Sequence, residues 1–174
     1  MQTSLVLTVL GQDRTGLVES LARLVAEHGG NWLESRMCRL GGEFAGILRL
    51  EVPETRQAGF IGALEKLKEN GLAIAVRPDS STSTAPRTSL MSLDLVGNDR
   101  PGIVRQVTAA LVNRGVNVEE LSTECASAPM SGELLFKAAA RLLVPESCDV
   151  QKLREDLERI AADLMVDLRL APLV

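Results

Sequence analysis

The octapeptide Gly11-Gln12-Asp13-Arg14-Thr15-Gly16-Leu17-Val18 returns 86 residues later as Gly97-Asn98-Asp99-Arg100-Pro101-Gly102-Ile103-Val104. A chain that carries one unit twice folds as two like modules, so this repeat constrains the architecture before any other feature. The same offset pairs Gly29 with Gly115, Asn31 with Asn117 and Glu34 with Glu120, and sets Leu5, Leu7 and Val9 over Met91, Leu93 and Leu95. Past the middle of the unit the offset becomes 92, with Pro53 over Pro145 and Arg77 over Arg169. Six residues have therefore entered copy two, where Ala126–Gly132 replaces the tight Gly41-Gly42 turn. Such an insertion lengthens a hairpin loop and spares the core. The second helix aligns better at 93, Leu64 and Leu67 over Leu157 and Ile160.

Each copy reads strand, helix, strand, strand, helix, strand. Leu5, Leu7 and Val9 alternate as in a half-buried strand that ends at Gly11. Leu17, Val18, Leu21, Leu24 and Val25 follow at helical spacing, and His28-Gly29-Gly30 supplies a C-terminal stop. Ile103, Val104, Val107, Ala110 and Leu111, stopped at Gly115, repeat the pattern. The third strand alternates as Leu48, Leu50, Val52 in copy one and as Phe136, Ala138, Ala140, Leu142, Val144 in copy two. The last strands are expected over Leu72–Val76 and Leu164–Leu170. This order predicts an α+β fold of two tandem ferredoxin-like βαββαβ domains, each an antiparallel four-stranded sheet with two helices on one face. The domains fall at residues 1–77 and 88–174, joined by the polar, proline-flanked linker 78–87.

Composition removes several function classes. Residues 1–77 hold nine Lys/Arg against nine Asp/Glu, and residues 78–174 hold ten against fourteen, so copy two carries the whole net charge of −4. Without a basic surface the chain is not expected to bind nucleic acid directly, because that affinity comes from neutralising phosphates. Aromatic residues make up only 2%, and the solvent-side positions of the third strands hold Arg49, Glu51, Lys137 and Arg141 in place of base-stacking rings. Cys38, Cys125 and Cys148 lack the close spacing of metal or redox motifs and are read as reduced packing thiols. The start has no signal-peptide pattern and the apolar stretches are too short to span a bilayer, so a cytoplasmic protein without membrane attachment is expected. With one histidine and no metal-ligand spacing, neither a catalytic constellation, nor a metal site, nor a cofactor is expected.

What remains is a Gly-Xaa-Asp-Arg-Xaa-Gly loop feeding a helix N-terminus, twice. Two such loops, each with an Asn opening the next strand, resemble the ACT domains, and two of these with little else resemble the glycine cleavage system transcriptional repressor family. The resemblance implies an amino-acid-sensing regulator that acts through a DNA-binding transcriptional activator, without touching DNA itself. The physics of the loop agrees with a binding role. Gly11, Gly16, Gly97 and Gly102 permit tight turns and close approach, and the helix N-terminus offers N–H groups to a carboxylate. Asp13 or Asp99 and the side-chain carbonyls of Asn31 or Asn117 are candidate acceptors for an ammonium group. The candidate effector site, for a small amino acid such as glycine, is thus Gly11, Gln12, Asp13, Arg14, Gly16 and Asn31, with Gly97, Asn98, Asp99, Arg100, Gly102 and Asn117.

Each of these residues has a plainer role open to it. Asp13 and Asp99 stand where an aspartate caps a helix, Arg14 and Arg100 where surface arginines are common, and Asn31 and Asn117 where a turn residue is needed. His28 is expected at the surface, and Trp32, replaced by Val118 in copy two, is expected to fill core. Two other functions stay open: a detached regulatory subunit of a metabolic enzyme, or a module whose open sheet faces serve self-association, for instance as a homodimer. Of the two loops, that of copy two is the better candidate, since Pro101 stiffens it.

Overall fold

The computed structural model describes residues 1–69, 71–80, 88–127 and 134–173. The chain divides into two compact units, Met1–Thr82 and Ser83–Val174. Unit 1 runs β1 (Gln2–Gln12), α1 (Leu17–Glu27), β2 (Asn31–Leu40), β3 (Glu43–Pro53), α2 (Glu54–Glu69) and β4 (Leu72–Pro78). Unit 2 repeats it as β5 (Thr88–Asn98), α3 (Ile103–Asn113), β6 (Asn117–Ser127), β7 (Leu134–Pro145), α4 (Val150–Leu164) and β8 (Val166–Pro172). The sheets have strand orders β2-β3-β1-β4 and β6-β7-β5-β8, every pair antiparallel. The expected ferredoxin-like βαββαβ fold is the one found in both copies. Most of the expected linker lies outside the described residues, and Pro78 closes β4.

In unit 1 the alternate residues Leu5, Leu7, Val9, Leu48, Leu50, Val52 and Ile74 form one buried cluster with Leu17, Leu21, Leu24 and Val25 of α1 and with Phe60 and Leu64 of α2. One side of the sheet is thus buried under both helices, as the alternation requires. Trp32 packs against this cluster as expected. Unit 2 builds the same core from Met91, Leu93, Leu95, Leu142, Val144 and Leu170 with Ile103, Val107, Leu111, Leu153 and Leu157. Gly29 and Gly115, at φ 65° and 68°, end α1 and α3 in the left-handed conformation that glycine adopts without penalty. Gly41 and Gly42 take positive φ as well, which closes β2 onto β3 with Leu40 facing Glu43.

The register ladders sharpen the repeat. Leu5 faces Leu50 and Met91 faces Leu142, in agreement with offsets of 86 and 92. In the last strand Val9 faces Ile74 while Leu95 faces Leu168, an offset of 94. The expected pairing of Arg77 with Arg169 is therefore corrected by two positions: Arg77 stands opposite Val6, and Arg169 opposite Asp94, the equivalent of Thr8. The last strand of copy two also starts later than expected, because Leu164 ends α4 and Met165 breaks the chain direction at φ 55° before Val166.

Candidate functional site

The loops Gly11–Gly16 and Gly97–Gly102 lead from the first strand of each unit into α1 and α3. Gly16 and Gly102 are the N-cap residues, left-handed at φ 91° and 94°, and no side chain caps either helix. Capping by Asp13 or Asp99 is therefore not how these helices begin. The first-turn N–H groups have no intrahelical acceptor, so each helix presents an uncapped positive end at an exposed glycine. A Cβ on Gly16 would meet nothing within 4 Å, and one on Gly102 only the Gln106 side chain at 3.9 Å. The space above both caps is open.

Gly11 and Gly97 have a different reason to be glycine. A Cβ on Gly97 would lie 2.4 Å from Cγ1 of Val166, and one on Gly11 would lie 2.8 Å from the Gly71 carbonyl oxygen. These two positions serve strand packing. Gln12 and Asn98 are the exposed last residues of β1 and β5, and Arg14 and Arg100 are exposed with no ion pair among the described residues.

The two aspartates differ. Asp13 receives Nε of Arg39 at 2.6 Å and its backbone N–H donates to Gly42 O at 2.9 Å, which ties the loop to the β2–β3 hairpin. In unit 2 the Asp99 N–H donates to Leu134 O at 3.0 Å in the same manner. The register equivalent of Arg39, which faces Phe44, is Cys125, which faces Phe136, so the Asp99 carboxylate has no arginine across the strand. No ion pair of Asp99 exists among the described residues. The described ends of the second hairpin, Ser127 and Leu134, stand at the end of the sheet that bears this loop; residues 128–133 lie outside the described ones.

Asn31 and Asn117 are not brought to the loops of their own units. Asn31 faces Glu51 and Gly11 faces Phe44, seven residues apart along β3, or roughly 23 Å at about 3.3 Å per residue. Asn117 faces Leu143 and Gly97 faces Phe136, the same separation. Both asparagines open their strands at the opposite end of the sheet. Their recurrence in sequence reflects the shared turn after Gly29 and Gly115.

Several residues depart from their sequence reading. His28 is half-buried: its Nδ1 donates to the Leu24 carbonyl at 2.9 Å, and its ring meets Phe60 edge-on at 5.6 Å. Its equivalent Arg114 binds Asp156 of α4 through Nε at 2.8 Å and Nη2 at 2.5 Å, a hydrogen-bonded pair that raises the Arg114 pKa further. Cys38 and Cys125 are exposed, so only Cys148 packs against a core, and burial pushes its thiol pKa up. An apolar groove under α3, lined in part by Val118, Leu121 and Ala140 and open to solvent where Val104 and Leu121 are 41% and 47% exposed, has no counterpart among the sequence expectations. The signal was present in the repeat, as the exchange of Trp32 for Val118 and Leu48 for Ala140. Among the described residues no three His, Cys, Asp or Glu side chains gather as a metal site, and no helix is long and apolar enough to cross a membrane.

With this geometry in hand, the comparisons are specific. The ACT domain family pattern matches residues 3–77. The glycine cleavage system transcriptional repressors of Escherichia coli (strain K12) and Shigella flexneri are each 26% identical over 167 residues, covering 94% of this chain and 86% of theirs. The crystal structure of an unknown protein from Galdieria sulphuraria matches with a TM-score of 0.88 and 31% identity over the whole of both chains.

Proposed function

Since the chain is a tandem ACT-domain protein resembling the glycine cleavage system transcriptional repressors, we propose that it is a non-enzymic regulator that senses a small amino acid at its glycine loops. The observation that carries this reading is the uncapped helix end above Gly102, with open space over a left-handed glycine and an unpaired Asp99 in the same loop. The α-carboxylate of an amino acid such as glycine takes the first-turn N–H groups of α3, and its ammonium group takes Asp99. Unit 1 offers the same helix end, but Arg39 occupies its aspartate. The effector therefore binds unit 2 more tightly.

The output is regulation of transcription of amino-acid metabolism through a protein partner, a DNA-binding activator, in the cytoplasm. The net charge of −4 supports action without direct DNA contact, and the effector works by binding two states of the protein unequally. Calorimetric titration with glycine, serine and alanine at millimolar concentration tests the sensing step. Heat that saturates is expected, and its absence for every amino acid overturns the reading. Capture of a metabolic enzyme in place of a transcription factor would make the chain a detached regulatory subunit.

A second reading has its own observation. On the helix-free face of unit 1, Leu10 and Ile47 are 48% and 54% exposed, and Val6 and Ala45 extend the apolar patch. The same positions of unit 2 are Ser92, Val96, Lys137 and Ala139, of which Lys137 puts a charge in the middle of the face. Self-association through unit 1, as a homodimer, follows from such a face. It predicts a concentration-dependent mass with no response to amino acids.

A further inference from the structure

The helix-free faces of the two sheets carry different side chains on the same backbone. Directly opposed residues lie on one side of a sheet, so the strand ladders read each face row by row. In unit 1, Leu10 stands between Ala45 and Ala73, and Thr8 between Ile47 and Ala75. The same register positions of unit 2 put Lys137 and Asp167 beside Val96, and Asp94 and Arg169 in place of Thr8 and Ala75. Charges of this kind finish a face that stays in water. Unit 1 instead keeps a contiguous apolar patch with Leu10 and Ile47 48% and 54% exposed. The backbone is common to both copies, so the patch belongs to a task of unit 1.

The residues of this face complement themselves. When two copies stack with a two-fold axis parallel to the strands, β1 of one lies over β3 of the other and β2 over β4, and every row stays level with itself. Leu10 then meets the partner's Ala45, and Ile47 meets the partner's Thr8, large against small. One row further on, Glu34, Arg49, Val6 and Arg77 cross the four strands. In the same alignment Glu34 at one edge meets the partner's Arg77. Arg49 brings no unpaired charge into the contact, because its Nε already donates to Asp79 at 2.6 Å. Aligned sheets pack about 10 Å apart, and four strands of roughly eight residues make a face of about 19 by 26 Å. About 1,000 Å² is buried in all, which reaches the lower bound of a specific interface.

We propose that the helix-free face of unit 1 binds the same face of a second copy of this chain across a two-fold axis parallel to the strands, and that the matching face of unit 2 takes no part. The inference rests on the self-association reading above and supplies its contact residues and symmetry. It is independent of whether the glycine loops bind an amino acid.

Sedimentation equilibrium of the full chain tests it. The mass is expected to rise with concentration from 18.7 kDa toward twice that value. Ile47→Lys alters an exposed side chain and is expected to raise the dissociation constant at least about tenfold, because it sinks an unpaired charge into the contact twice. Ala139→Lys, the same change at the register twin in unit 2, is expected to leave the constant unmoved. Glu34→Arg or Arg77→Glu alone is expected to weaken the dimer, and the two together to restore it, since each copy then meets the reversed pair. Should Ile47→Lys fold poorly, these exchanges at exposed positions carry the test. A mass of one chain at every concentration overturns the inference and the self-association reading together. Association untouched by Ile47→Lys overturns this face and leaves self-association through another surface standing. Loss with Ile47→Lys and no rescue by the double exchange overturns the two-fold arrangement.

Discussion

The Asp13 carboxylate meets the Arg39 guanidinium at 2.6 Å, whereas Cys125 holds the register position of Arg39 in unit 2 and offers the repeat partner Asp99 no such cation. A single side-chain exchange on β2 and β6 thus divides two otherwise matching loops into one whose charge is paired and one whose charge is available. Both ends of the Asp13–Arg39 pair are in contact with solvent, so the pair contributes little to stability, within about 0.5 kcal/mol. Its effect is on what the loop can bind.

The first prediction follows from that exchange. Cys125→Arg gives unit 2 the arrangement of unit 1 and is expected to weaken amino-acid binding, because the ammonium group then competes with a guanidinium for Asp99. Asp99→Asn is expected to weaken it as well, by about 1.5–3 kcal/mol if a charge-assisted hydrogen bond is lost. Calorimetric titration of both variants checks this. Undiminished affinity in both would remove Asp99 from the site.

Gly97 carries a stability prediction. A Cβ there would stand 2.4 Å from Cγ1 and 2.9 Å from the backbone of Val166, so Gly97→Ala must push β8 away from β5. Overpacking of this kind costs about 1–3 kcal/mol. Adding Val166→Ala removes the closest contact, with Cγ1, but leaves those with Cβ at 2.8 Å and Cα at 2.9 Å, so partial rescue is expected. Urea melts of the two single variants and the double variant give the coupling energy; strictly additive losses would show that the two residues do not meet.

Much of this fold was legible from the repeat, and each failure has its own physical cause. Alternation along Leu5, Leu7 and Val9 and the glycine stops at Gly29 and Gly115 report local backbone needs, so they placed strands and helix ends correctly. The offset of Arg77 and Arg169 failed because residues added around α4 leave no mark in composition, and only the strand register shows the shift. Asn31 entered the candidate site because it recurs with the loop, yet recurrence cannot tell the two ends of a sheet apart. Asp13 looked like a helix cap by sequence position, but the left-handed Gly16 takes that place. The apolar groove of unit 2 follows from several substitutions summed across β6 and β7, among them Val118 for Trp32 and Ala140 for Leu48, which no short motif contains.

Asp149 predicts a pH dependence. Its Oδ1 accepts from the N–H groups of Gln151 and Lys152 at 3.1 Å each and caps α4. The backbone hydrogen bond from Lys152 is the largest cause holding its carboxyl below the ordinary value. A folded pKa below the unfolded one means that the carboxylate's contribution is complete above about pH 4 and fades as pH falls through the folded value. Asn caps a helix nearly as well but does not titrate there. The gap in Tm between wild type and Asp149→Asn is therefore expected to shrink below about pH 4. A gap that stays constant from pH 6 to pH 2 would show that the carboxylate charge is irrelevant to the cap.

Met165 provides the last prediction and follows from the repeat itself. It holds φ 55° and ψ 50° at the end of α4, among the described residues the single non-glycine with positive φ. The corresponding residue of unit 1, 94 positions earlier by the register of the last strands, is Gly71 at φ 87°. For an L-residue with a Cβ this conformation costs about 1–2 kcal/mol, and the exposed Met165 side chain, 65% accessible, recovers little by burial. Met165→Gly relieves that strain but admits more conformations to the unfolded chain, which offsets part of the gain. A net stabilisation of about 0.5–1 kcal/mol is expected, seen as a rise of a few degrees in the melting of unit 2. The mirror substitution, Gly71→Met, is expected to destabilise unit 1 by a similar amount, and a pair of changes with the same sign would show that backbone strain does not govern this turn.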